Sequence, residues 1–263
     1  MLGAGGVRGF AHVGVLEALV EHGFRITEMV GTSAGAVMAS LYAAVGLSLP
    51  ELQRFGLHMT SRNLLAWAWL RRAPEAIRQR YLQRAGIIPA HVRMLAEASG
   101  RTLHHGVERL GIVCYDLNRG EEIFFHYPDS DFPFEEAVRG SAAIPGFFPS
   151  RRCAIDGREL RLMDGGLVNG LPVDKLFAAP FAPQQVLVVD VSNRQQSRAT
   201  NFAKVESLRQ KYPHIPIEII TPDTLGKGTI IYRQQDLQEM IDSGKRQVGE
   251  LLRKPKRKPS DAV

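Results

Sequence analysis

Helical segments alternating with strands that are apolar on both sides predict an α/β protein, layered around a largely parallel sheet. Size and composition agree. At 263 residues, the chain suffices for one large α/β domain or two small ones, and its 44% hydrophobic and 23% charged residues are those of a packed globular core. No internal repeat or low-complexity segment interrupts it before the C-terminus. The expected organisation is one domain over residues 1–252 and a disordered basic tail at 253–263, "RKPKRKPSDAV".

The elements follow from periodicity and punctuation. "AHVGVLEALVEH" (11–22) places Val13, Leu16, Leu19 and Val20 on one helical face and ends at Gly23. Ile26 to Val30 is a short buried strand, and Ala34 to Val45 a helix closed by Gly46. Residues 50–98 read as several helices broken near Pro74 and Pro89. "LGIVCYDL" and "EEIFFHY" are strands joined by "NRG", a hairpin turning at Gly120. "CAIDGRELRLM" is a second hairpin, turning at Asp156-Gly157. "QQVLVVDVS" and "IPIEIITP" are further strands, and residues 229–252 a final amphipathic helix.

The net charge of +6 admits nucleic acid or an anionic lipid surface as partner. Its excess concentrates in the tail and between Arg71 and Arg84, and no finger, basic-zipper or RNA-binding signature accompanies it, so nucleic acid is not expected. Two cysteines, Cys114 and Cys153, make no disulfide framework. No apolar run approaches the ~20 residues of a membrane span, and no signal-peptide succession opens the chain. These features point to a soluble cytoplasmic protein.

Three short motifs carry the chemistry. "GTSAG" sets Ser33 between Gly31 and Gly35, after a strand and before a helix. This is the nucleophile-elbow pattern: the glycines leave room for a turn that forces serine into an unusual conformation, and the helix behind supplies free N–H groups. The competing reading makes Thr32 or Ser33 a plain helix cap. "GAGGVRGF" (3–10) opens the first helix. A dinucleotide fingerprint would need glycine where Arg8 stands, and a P-loop would need Gly-Lys-Ser/Thr. The remaining readings are an oxyanion hole of backbone N–H groups or a flexible loop. "MDGG" places Asp164 before Gly165 and Gly166. Asp-Gly is also an ordinary turn, which is how Asp156-Gly157 reads. As a general base Asp164 would need burial to lift its pKa from about 3.9.

In this order and spacing the motifs resemble the patatin-like phospholipases. The matching residues are Gly5-Gly6-Val7-Arg8-Gly9, His12 to Leu16, Gly31-Thr32-Ser33-Ala34-Gly35, "AVRGSAAIPGFFP" (137–149, similar to the family's loop ahead of the aspartate) and Asp164-Gly165-Gly166. The resemblance covers about residues 2 to 190. It implies a three-layer α/β/α fold with a mostly parallel sheet and hydrolysis of a carboxylic ester of phospholipid, lysophospholipid or a related lipid. Ser33 is the implied nucleophile and Asp164 its base. The amides of Gly5, Gly6, Val7 and Arg8 hold the oxyanion, with the Arg8 side chain steadying that loop or meeting a phosphate. Gly31, Gly35, Gly165 and Gly166 enable the turns, and neither metal nor cofactor is required. The sequence departs from the family at Ala4, where a glycine is usual, and in having only Met1 and Leu2 ahead of the glycine loop, which would leave that loop without an anchor on one side.

Two other functions compete. An α/β-hydrolase triad of Ser33, Asp190 and His214 fits the chain order, but too few strands precede the serine. The other is a regulatory or binding module that keeps the fold without catalysis. His12 is expected to be packed and hydrogen-bonded. In "NLLAWAWLRR", the tryptophans Trp67 and Trp69 are expected in the core with Arg71 and Arg72 reaching water. The alternative seats this helix at a lipid surface, in transient membrane contact.

Overall fold

Glycine loop and serine corner are laid down first. The computed structural model describes residues 1–83, 87–155 and 157–253. A 3-10 turn over Gly6–Phe10 runs into α1 (Ala11–Glu21), which stops at Gly23 with φ +76°. β1 (Glu28–Thr32) leads to the serine and α2 (Ala34–Ala43) away from it. An arch of short helices follows: α3 (Leu49–His58), α4 (Ser61–Leu70), α5 (Glu75–Leu82) and α6 (Ile87–Glu97). Pro74 separates α4 from α5 as predicted. Pro89 lies instead in the first turn of α6, where the missing N–H leaves no helical bond unmade.

Both predicted hairpins form: β2 (Arg109–Asp116) with β3 (Glu121–Tyr127), and β4 (Arg151–Ile155) with β5 (Arg158–Asp164). Asp156 of the second turn lies outside the described residues. Between the hairpins, the first five residues of the expected loop at 137–149 are helical, because α7 spans Phe134–Ser141. The chain closes with β6 (Val186–Val189), α8 (Gln195–Lys211), β7 (Ile217–Ile220) and α9 (Gln234–Arg253). The long α8 went unread because its apolar positions follow no clear face. The last helix begins five residues later than predicted. Ser61 Oγ donates to the Tyr232 carbonyl and accepts from its N–H, both at 3.0 Å, and the Asp236 carboxylate takes the Arg233 N–H at 2.8 Å. These bonds keep 229–233 outside the helix. The basic tail from residue 254 onward lies outside the described residues.

At the centre of the sheet, β1 pairs parallel with β2 and β6 parallel with β7, while Leu2 bridges in parallel to both Gly31 and Val189. The hairpins add antiparallel pairing beyond β2. Alternation along the strands separates two cores. Met29 and Val189 face the larger one, shared with α1, α2, α7 and α9, whereas Val30 and Val188 face a second one with Val205 of α8 and Leu176. Helices on both faces of one sheet make the three-layer α/β/α fold. On the larger face α1 and α9 pack backbone to backbone, since a side chain at Gly14 would overlap the Ile241 carbonyl and one at Gly244 the Ala11 carbonyl.

Candidate active site

One edge of β2 carries two strands end to end. β1 occupies it up to the Thr32–Val113 pair, and β5, arriving from the opposite direction, ends at the Asp164–Cys114 pair. The serine after Thr32 and the aspartate closing β5 are thereby driven together from positions 131 residues apart. Ser33 Oγ donates to Asp164 Oδ2 at 2.7 Å, and both residues are buried.

Ser33 sits at φ 54°, ψ −124°, a region that an L-residue occupies only under constraint. Its hydroxyl makes no cap bond to α2, so the plain-cap reading fails. The neighbouring glycines are needed sterically. A Cβ on Gly31 would stand 2.5 Å from the Gly35 carbonyl carbon, and one on Gly35 would overlap the Leu2 carbonyl. Sequence reasoning missed one member. Ser141 Oγ accepts the Ser33 N–H at 2.9 Å and donates to the Val113 carbonyl at 2.6 Å, tying the elbow to β2 through the end of α7. Its only sequence signal is its place in the 137–149 match.

The Asp164 carboxyl is pushed up to about 6, chiefly by burial, against the opposing pull of bonds from Ser33 and the Gly166 N–H. That second bond, Gly166 N to Oδ1 at 2.7 Å, leaves Oδ2 to the serine. Gly165 is also required, since a Cβ there would lie 2.6 Å from Thr32 Oγ1. A carboxylate titrating near neutrality supplies the base strength that an exposed aspartate lacks.

Contrary to the expectation from its short start, the glycine loop is anchored on every side. Leu2 N–H donates to Val30 and Gly3 N–H to Val189, at 2.8 and 3.1 Å. Ala4 N–H donates to Gly170 at 2.8 Å, so alanine costs no backbone bond there. His12 is fully buried as expected. Its Nε2–H donates to the Gly3 carbonyl at 2.9 Å, and burial lowers its pKa to about 4, which keeps the ring neutral.

The oxyanion assignment narrows. Val7 N–H donates to Thr229 at 2.9 Å and Arg8 N–H to Gly5 at 3.2 Å, so these two amides are already engaged. The amides of Gly5 and Gly6 hold no partner among the described residues. The Arg8 side chain is buried and steadies the loop, with bonds to the Val191, Lys227 and Gly228 carbonyls and to Thr229 Oγ1. The non-helical stretch at 229 is what takes up Val7.

No triad assembles. Asp190 accepts from Ser192 N–H and from the Asn201 amide, and His214 is exposed in the turn between α8 and β7. Among the described residues no His, Cys, Asp or Glu cluster could hold a metal ion, and no helix is long and apolar enough to cross a membrane. Cys114 and Cys153 are free.

A cavity of about 180 Å³ opens beside Ser33 and runs beneath the arch, walled by Met38, Leu41, Phe55, Leu64, Trp67 and other residues. The tryptophan expectation is half corrected. Trp67 is 7% exposed and walls the cavity, but Trp69 is 72% exposed, and it is Arg71 that is buried, at 8%. Helical geometry imposes the exchange: Trp67 and Arg71, four apart, share the inner face, and Trp69 falls on the outer one.

The site therefore holds a strained serine at a strand-to-helix corner, bonded to a buried aspartate beneath a glycine loop. The patatin-like phospholipase family model matches residues 1–177, and the chain belongs to that family. It is 32% identical over 176 residues to an uncharacterized NTE family protein of Mycobacterium tuberculosis, covering 65% of this chain and 43% of the relative. It is 26% identical over 208 residues to the neuropathy target esterase sws of Drosophila melanogaster, covering 77% of this chain and 13% of that protein. The chain thus spans less than half the length of these relatives. VipD from Legionella pneumophila shares the fold, with a TM-score of 0.55 at 14% identity over 95% of this chain and 65% of that one.

Proposed function

We propose that the protein is a serine acyl hydrolase that cleaves a carboxylic ester of a lipid through an acyl-enzyme on Ser33. The observation that carries this reading is the 2.7 Å bond from Ser33 Oγ to Asp164 Oδ2 at the strained corner. Asp164 takes the hydroxyl proton as Oγ attacks the ester carbonyl, and the amides of Gly5 and Gly6 with the α2 N-terminus receive the developing oxyanion. Collapse expels the alcohol, which regains the proton from Asp164. Water then repeats the sequence on the acyl-enzyme and releases the fatty acid. The cavity is small beside the ~300–1,000 Å³ of ordinary ligand sites, which favours one acyl chain over two. Leu65 and Trp69 on the outer face of α4, and Phe147, held near it by Arg72, favour transient contact with a lipid surface.

The test is fatty-acid release from phospholipid and lysophospholipid vesicles. Ser33→Ala and Asp164→Asn are each expected to lose about 10³-fold or more in kcat/KM while His214→Ala stays near wild type. Full activity in Asp164→Asn with loss in His214→Ala would overturn the reading.

A further inference from the structure

The arginines beneath the arch do not balance. Arg78 pairs with Glu75, Arg139 with Glu135 and Arg151 with Glu136, each an ion pair with its own carboxylate. Arg71 has none. It is buried in the wall of the cavity that begins at Ser33, and its guanidinium makes no hydrogen bond among the described residues. Its ring neighbours, Trp67 and Phe148, lie 6.0 and 5.8 Å from the guanidinium carbon. Such contacts offset part of a cation's desolvation but satisfy none of its five donors. A buried, unpaired guanidinium is unfavourable unless something else completes it.

We propose that Arg71 is a specificity-determining residue that binds an anionic group of the substrate, a phosphate or a carboxylate, while the ester lies at Ser33. The proposal rests on the reading of Ser33 as nucleophile of a lipid acyl hydrolase. Its geometry comes from α7. Ser141 at the end of that helix holds the Ser33 N–H, and Glu135, Val138, Arg139 and Ala142 line the same cavity, so its wall extends about 10 Å along the helix from the serine. Arg139 stands on that wall beside Arg71, its own Nε buried and unpartnered. The charges that act most on Arg71 are Arg139, Arg151, Arg78 and Glu136, and each of those arginines already has its own carboxylate. Burial first, then these arginines, push its pKa down to about 9, which leaves it a cation at neutral pH. A planar guanidinium with free donors matches the oxygens of a phosphate or carboxylate.

Binding is measured first, in a Ser33→Ala background so that turnover plays no part, by calorimetry with dodecyl phosphate, dodecanoate and dodecanol. The anionic ligands are expected to bind about ten-fold or more tighter than the alcohol. Arg71→Met should abolish that preference without weakening dodecanol, and Arg71→Lys should keep much of it. Equal binding of phosphate and alcohol, or an undiminished preference in Arg71→Met, overturns the proposal. The melting temperature of Arg71→Met is expected to equal or exceed that of the parent; a fall of several degrees would make Arg71 a structural prop and also overturn it.

Hydrolysis then locates the source of the anion. Lauroyl-lysophosphatidate against monolaurin places it on the headgroup side, and the monomethyl ester of dodecanedioic acid against methyl laurate places it at the chain end. Arg71→Met should lose about ten-fold in kcat/KM on the charged member of one pair only. Equal loss on both members, or loss in neither pair, overturns the proposal. Should wild type cleave none of the four esters while the anion preference stands, it is the Ser33 reading that fails.

Discussion

The ground around Ser33 and the helical arch over it are built by opposite rules. Around the serine, backbone meets backbone. A Cβ on Gly31 would reach 2.5 Å from the Gly35 carbonyl carbon, one on Gly35 would overlap the Leu2 carbonyl oxygen, and one on Gly165 would overlap the Val113 carbonyl oxygen. In the arch, side chains meet side chains and water, with Leu65, Trp69, Ile77 and Met94 exposed and Arg71 buried without a carboxylate partner among the described residues. The tight side holds the Ser33 and Asp164 oxygens 2.7 Å apart. The arch covers the cavity that begins at Ser33.

Breaking the rigid side should cost most. Gly35→Ala forces a methyl onto the Leu2 carbonyl, whose oxygen also receives the Thr32 N–H at 3.4 Å, so neither backbone can withdraw. A loss of about 3 kcal/mol or more is expected in urea denaturation.

The next effect has the opposite sign. Asp164 has a native pKa raised to about 6 from 3.8, so the folded state resists its ionisation. That penalty is absent below about pH 4, where folded and unfolded forms are both protonated. It grows between pH 4 and 6 and is complete above, at about 2–3 kcal/mol. Asp164→Asn removes it and keeps an acceptor for Gly166. The variant should therefore be more stable than wild type at pH 7 by about 2 kcal/mol, and equal to it by pH 4. Over the same range, wild-type kcat/KM should fall with an acid limb near pH 6.

Relieving strain gives a smaller gain. Ser33→Gly accepts φ 54° freely and should be inactive yet more stable by about 1 kcal/mol, read from thermal unfolding. The smallest effect belongs to the arch. Trp69→Ala should change stability by less than about 0.5 kcal/mol while reducing sedimentation with anionic vesicles, a contrast that separates a surface role from a packing one.

Much of the catalytic region was legible in the sequence because its constraints are local. A serine forced to positive φ needs glycine beside it within two residues, and an aspartate at a strand end announces itself by the turn that follows. The hairpins at Gly120 and Gly157 were legible for the same reason. Ser141 was not, because a serine that braces another residue's N–H from 108 positions away leaves no local pattern. The start of α9 was misread because the bonds that keep 229–233 out of the helix come from Ser61 and the Val7 N–H of the glycine loop as well as from Asp236. Trp69 and Arg71 were misassigned, while Trp67 and Arg72 were not, because periodicity tells which residues share a helical face but not which face turns inward.

The sequence by itself determined the strand-turn-helix corner, the glycines it needs, the alternation of layers and the family to which the chain belongs. Each of these follows from backbone sterics and side-chain period over a few consecutive residues. Only the tertiary structure decided that β1 and β5 end against one another on the same edge of β2, that Val7 is spoken for by Thr229, and that Arg71 has no carboxylate partner among the described residues. Those outcomes depend on which distant segments become neighbours, and hydrogen bonds and charges are satisfied, or left unsatisfied, only once the whole chain has packed.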